Sequence, residues 1–461
     1  MQNTQLDYLY LPIGVPTFHL ESAGAEFKKS VEMLKELDGG VIYPDEMLLS
    51  IDKLKEFIKN IPQSKSVLQG SREDGKPDLV IVQNVTFANG AYMSEIARRF
   101  DCPILLWTLK EPVIDGGRLR LNSLTGAFSA GSVLSSFGRS FEYVFGSPAE
   151  EETKKAVERV IRACKLKKAL KNLNVLQVGH TPQGFGFGRA LDCEVERTFG
   201  SNLISIEARE LIDIAKKYTE SDVEDYLADA KKRIRGLDGI DEKNIKDFAR
   251  LYRAYAEYVK TNGIGALSSR CWPDFFTAFG TPVCAVLGIL NDLGVASACE
   301  ADTFGAISMF IAQFLTDKPA FFGDPVSMDT TENTITFWHC GMAGCSLARE
   351  DTGACAGLHC NRHIGPTLEF GCKAEPSVTI FRIGKKADGK FRFFIARGEA
   401  LDKPRQFYGT SVVVKTENNA KDIVYNAVKS GFEPHFAVAM GDVADELKTL
   451  ANMLGIEVNE F

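Results

Sequence analysis

The chain has no basic excess, no low-complexity tract and no long apolar run, and each absence removes a class of function. Its 54 Lys and Arg are outnumbered by 61 Asp and Glu, leaving a formal charge of -7 and a pI near 5.6. A nucleic-acid binder would normally show a basic stripe, so no nucleic-acid partner is expected. The longest nearly apolar stretch, Phe275 to Leu290, is broken by Thr277, Gly280, Thr281 and Pro282. It falls short of the roughly 20 residues a bilayer span needs, so no membrane role is expected either. Residues Met1 to Asp7 offer neither a basic n-region nor a cleavable apolar segment, which makes the cytoplasm the expected location. The G-x-S-x-G elbow, the Walker A lysine loop and the H-E-x-x-H helix are all missing. Serine-hydrolase, P-loop and zincin chemistry therefore have no support.

What is present reads as an ordinary globular enzyme. At 461 residues, 45% of them hydrophobic, the chain is too long for one simple core. Eleven cysteines scattered without an export signal read as reduced thiols. In the first third, apolar strands (Leu6 to Ile13, Val41 to Tyr43, Leu79 to Val82, Pro103 to Trp107) alternate with amphipathic helices, which implies a parallel sheet covered on both faces. A second α/β unit opens at Val175 to Gly179 and runs through the strand ending at Cys299. From Thr334 onward the pattern changes to short strands separated by turns, as in an antiparallel sheet or small barrel.

Acidic residues stand at two successive strand ends. Glu300 follows the apolar run Val295 to Cys299, and Asp324 follows Pro319 to Gly323. The carboxyl rim of an α/β sheet is where ligands usually bind. His435, one of only six histidines, opens the strand Phe436 to Met440. Two carboxylates and an imidazole, with other positions left to water or sugar oxygens, suit a hard octahedral ion. The plainer alternative is that both acids cap the elements after them and that His435 is a strand-edge histidine. His339, beside Trp338, is either a fourth ligand or substrate contact, or a buried histidine bonded to backbone. The cysteines at 340, 345, 355, 360 and 372 are spaced too widely for the usual zinc pairs and read mainly as loop thiols. Gly184-Phe-Gly-Phe-Gly188 lacks dinucleotide spacing and reads as a tight strand-to-helix connection.

Several segments taken together resemble the L-fucose/L-arabinose isomerase family of metal-dependent aldose–ketose isomerases. They are Cys271-Trp-Pro-Asp-Phe275, Ala296 to Asp302 with Gly305-Ala306, Phe322-Gly-Asp324, Thr336 to Gly341 and Pro434 to Asp442. Weaker similarity reaches back to Val15-Pro-Thr-Phe18. The resemblance implies two Rossmann-like α/β domains followed by a β-rich, barrel-like domain, here divided at 1–170, 171–345 and 346–461. The second would carry Glu300 and Asp324, the third His435. It implies metal ligation by Glu300, Asp324 and His435, with Mn²⁺ as the ion and Mg²⁺ or Co²⁺ as substitutes. It also implies a homo-oligomer, a hexamer by family habit. His19 stands where relatives often have an acid, and the cysteine-rich segment 340–372 is unusual; both bear on the sugar pocket.

The expected reaction is a ketol isomerisation through a cis-enediol, with Glu300 and Asp324 sharing proton transfer in an order the residues leave open. Trp338 or Trp272 would stack on the sugar. A deoxyhexose or pentose is the family default. Arg362, His363, Lys373 and Arg189 keep an anionic sugar, sulfonated or phosphorylated, open as well, although such cations are more often solvated. Two other classes stay in view: a non-catalytic sugar-binding protein with two α/β lobes, and a thiolate-ligated metal or redox enzyme.

Overall fold

Strands alternating with helices form two parallel sheets, and most of the later strands pair antiparallel into a barrel. The computed structural model describes residues 6–61 and 76–461; the first five residues, part of the stretch read for a targeting signal, lie outside that range. Two compact units are present.

One unit comprises the described residues up to Ala169, with Lys448–Gly455. Its strands are β1 (Asp7–Ile13), β2 (Gly40–Ile42), β3 (Leu79–Asn84), β4 (Ile104–Thr108) and β5 (Glu142–Phe145), all parallel in the order β2-β1-β3-β4-β5. Every residue of β1 is buried. Tyr8 and Tyr10 enter one core cluster while Leu9, Leu11 and Ile13 enter another, because side chains alternate between faces and helices cover both. Among the described residues, no helix is long and apolar enough to cross a membrane.

The second unit, Leu170–Leu447 with Ile456–Phe461, holds two sheets. Strands β6 (Asn174–Val178), β7 (Asn202–Ile206), β8 (Ile264–Ser269) and β9 (Ala296–Cys299) are parallel in the order β7-β6-β8-β9. The rest are β10 (Phe321–Asp329), β11 (Thr334–His339), β12 (Cys355–Gly357), β13 (Thr367–Gly371), β14 (Glu375–Lys385), β15 (Phe391–Leu401), β16 (Thr410–Thr416), β17 (Phe436–Ala439) and β18 (Glu457–Glu460). Pairing runs β16-β11-β10-β17-β14-β15, and β15 pairs back to β16, so these six strands close an antiparallel barrel. The fold is thus α/β with parallel-sheet units and a carboxyl-terminal barrel. The strand that delivers Asp324, β10, belongs to the barrel rather than to the parallel sheet with β9.

The helix Thr303–Thr316 joins the two sheets of this unit, packing on β8 and β9 on one side and on β14 and β17 on the other. Its sequence is apolar almost all round, as a helix covered on every side requires. Ser308 bridges to the barrel by accepting the Ile383 N–H at 3.0 Å.

Candidate active site

The site forms where the parallel sheet and the barrel meet around that helix. Strand β9 ends at Cys299, and the chain then turns through Glu300 (φ +58°) and Ala301 (φ +55°). Two consecutive non-glycine residues in the left-handed region cost about 1–3 kcal/mol each, a strain that clusters at functional sites. After the turn, Asp302 caps the helix by accepting the Gly305 N–H at 2.9 Å.

From the barrel, β17 and β10 supply the opposite wall. Their register pairs Gly323 with Phe436, so the next pair outward sets Asp324 against His435. His435 Nε2 lies 3.0 Å from Glu300 Oε2 and 3.5 Å from Asp324 Oδ1, neither aligned as a hydrogen bond. Both carboxylates thus stand beside the same ring nitrogen. The other ring nitrogen, Nδ1, is 2.9 Å from Asp302 Oδ2. Arg382 in turn donates to Asp302 at 2.5 and 3.3 Å, both side chains fully buried. The series Arg382–Asp302–His435 fixes the imidazole from behind, as a carboxylate behind a metal-binding histidine does.

Charge follows from these contacts. Burial opposes ionisation of Asp302, but Arg382 and His435 hold its carboxyl well below the usual range. Burial also opposes ionisation of Glu300, yet His435, His339 and the Trp272 N–H keep it below its ordinary value. For His435, burial pushes down while Asp302, Glu300 and Asp324 lift the ring to about 10. Aromatic rings enclose the cluster and strengthen these interactions by excluding water. Phe322 lies 4.9 Å from the His435 ring, Phe187 5.4 Å and Phe185 6.4 Å.

The donor set fits a divalent cation. His435 Nε2 and His339 Nε2 are buried without a hydrogen-bond partner, and ligand atoms of Glu300, His339 and His435 lie within 4.8 Å of one another. Asp324 is 31% exposed on its side chain, which leaves one approach open to substrate. His339 differs from His435 in one respect. Its Nδ1 accepts the Cys340 N–H at 2.9 Å, and burial holds the ring neutral, so its proton sits on Nε2. In that tautomer Nε2 is a donor.

Of the remaining residues singled out by sequence, Trp272 joins the site and donates its indole N–H to Glu300 Oε1 at 3.2 Å. Trp338 donates to the Tyr408 carbonyl at 2.6 Å and lines a neighbouring cavity of about 690 Å³ with Val326, Cys360, Asn361 and Arg405. His19 belongs to the other unit, where it caps the helix Leu20–Glu36. All eleven cysteines are free, and the one metal-capable grouping among the described residues contains none. Sequence reasoning missed the roles of Asp302, Arg382 and the two phenylalanines of Gly184–Gly188. Aromatic residues between glycines were the available signal: Gly188 packs so closely on Asp302 that a Cβ would lie 2.8 Å from its Cα.

Similarity to known proteins agrees with this geometry. Residues 359–461 match the family model described as L-fucose isomerase, C-terminal domain. The chain is 56% identical over 453 residues to a sulfoquinovose isomerase of Clostridium sp. (strain MSTE9), covering 98% of both chains. It is 38% identical over 462 residues to the sulfoquinovose isomerase of Priestia aryabhattai, across the full length of both. Against that of Alkalicoccus urumqiensis it is 34% identical over 457 residues, 99% of each chain.

Proposed function

Because the chain belongs to the L-fucose isomerase-like family and is an aldose–ketose isomerase, we propose that it converts sulfoquinovose, a glucose bearing a sulfonate on C6, into the corresponding ketose. The observation that carries the reading is that Glu300 and Asp324 both lie within 3.5 Å of His435 Nε2, in a chain this similar to sulfoquinovose isomerases.

Glu300, Asp324 and His435 would hold the metal, with Mn²⁺ the ion and Mg²⁺ or Co²⁺ its substitutes. A divalent ion there supplies Lewis-acid polarisation of the open-chain sugar's carbonyl. Glu300, with one oxygen on Trp272 and the other against His435, is the fixed carboxylate. Asp324, partly exposed, has the freedom to take the C2 proton and return it to C1 on the same face. The hydroxyl proton passes from O2 to O1 in the same cis-enediol, so atoms and electrons balance without a redox cofactor. His339, with its proton on Nε2, donates to a sugar oxygen and steadies charge developing there. Trp272 and the two phenylalanines exclude water. A cytoplasmic homo-oligomer, hexameric as the family resemblance implies, completes the proposal.

The test is turnover with Mn²⁺ in heavy water. Sulfoquinovose should give ketose faster than L-fucose or L-arabinose, with the label entering at carbon, and Glu300→Gln should lose both activity and metal affinity. Equal turnover of the neutral sugars, or a metal-replete and active Glu300→Gln, overturns it.

A further inference from the structure

We infer that Arg362 holds the sulfonate of the substrate, at the far end of the sugar from Glu300, Asp324 and His435; the inference rests on the sulfoquinovose reading above. A sulfonate spreads one negative charge over three oxygens. Taking it out of water calls for a fixed cation whose charge is not already matched. The guanidinium groups around the site differ in that respect. Arg382 is paired with Asp302, Arg270 lies 2.9 Å from Asp274, and Arg405 is paired with Glu369, while Arg189 is exposed and donates to Thr181 Oγ1 at 2.9 Å. Arg362 is half-buried and makes no ion pair with any of the described residues. Its guanidinium lies over two aromatic rings instead, 5.5 Å from the centre of Trp272 and 4.9 Å from that of Phe276. Stacking of this kind fixes the plane of the group and leaves the N–H donors on its rim free for oxygens.

The position suits the length of the sugar. Trp272 meets Glu300 with its indole N–H and Arg362 with its ring face, so a single indole separates carboxylate and cation. An extended six-carbon chain carries the sulfur on C6 roughly 7 to 8 Å from C1, a length that can span one indole. Cys360 and Asn361, just before Arg362, line the 690 Å³ cavity together with Trp338, whose strand partner is Asp324.

The loop carrying Arg362 is tied down. His359 donates its N–H to Ile364 O at 2.9 Å and accepts, through its carbonyl, from Arg362 at 3.1 Å and His363 at 2.8 Å. The Asn361 N–H reaches His359 Nδ1 at 3.3 Å, and the ring packs edge-on to Phe276 at 5.0 Å. Lys373, another cation considered from sequence, lines a separate cavity with Lys318, Glu375 and Met440.

The test compares the Mn²⁺-loaded enzyme with Arg362→Met, which keeps an apolar stem on the two rings, and with Arg362→Lys. Inhibition constants are read for glucitol and for its 6-sulfonate, and kcat/KM for sulfoquinovose. Arg362→Met should weaken the sulfonated hexitol on the order of 100-fold, chiefly through KM in the turnover assay, while glucitol changes only a few-fold. Arg362→Lys should fall between. Equal losses for both hexitols, or none, overturn the inference and leave Arg362 as a brace for Trp272. A wild-type enzyme that does not distinguish the two hexitols overturns the sulfoquinovose reading itself.

Discussion

His435 is held at both ends of its ring, and that arrangement has consequences for pH. In the metal-free protein its raised value of about 10 keeps the imidazole charged at neutrality. A cation that binds Nε2 must therefore displace a proton. Calorimetry of Mn²⁺ binding at pH 7, in buffers of different ionisation enthalpy, should report close to one proton released per ion. Apparent affinity should rise with pH up to about 10; binding without proton release would contradict the assignment. The same sign governs stability. A folded value above the unfolded ~6.5 stabilises the metal-free protein below that pH, and the contribution is lost as pH rises from about 6.5 through 10. Asp302 acts behind the ring. Asp302→Asn should weaken metal binding about 10–100-fold and destabilise by about 3–5 kcal/mol, because Arg382 is left buried and unpaired. Adding Arg382→Met should restore stability, read by chemical unfolding, without restoring metal affinity.

Among the elements, the helix Thr303–Thr316 decides how closely the barrel approaches the parallel sheet. Gly305 permits that approach: a Cβ there would lie 2.6 Å from the Phe322 ring and 2.9 Å from Asp302 Cγ. Gly305→Ala should destabilise by about 1–3 kcal/mol and weaken Mn²⁺ binding, since Phe322 packs on both histidine rings. An unchanged melting curve and metal affinity would show that the ring moves freely. Long buried strands and helices were legible because an element covered on both faces is apolar throughout, as β1 and this helix are. Short edge strands such as β12 and β18 were not, since a few residues pairing at a sheet margin leave no periodic signature. Strand β10 runs on past Gly323 to Asp329 for a similar reason: its second half is largely exposed and is held by β11 rather than by burial.

For the molecule as a whole, metal and fold are linked. An ion binding only the native chain stabilises it by about 2.7 kcal/mol at a hundredfold excess over Kd. Chelation should therefore lower the melting temperature, and Mn²⁺ should restore it; a melting curve indifferent to chelator would count against a resident ion. The sequence alone determined the α/β-then-barrel order and singled out Glu300, Asp324, His435 and His339, because local patterning and residue chemistry are written along the chain. Only the tertiary structure decided that β10 leaves the parallel sheet for the barrel, that Asp302 and Arg382 stand behind His435, and that the Cys340 N–H meets Nδ1 of His339. Those outcomes depend on strand pairing, barrel closure and single hydrogen bonds, most of them between residues far apart in the chain, and no local pattern encodes them.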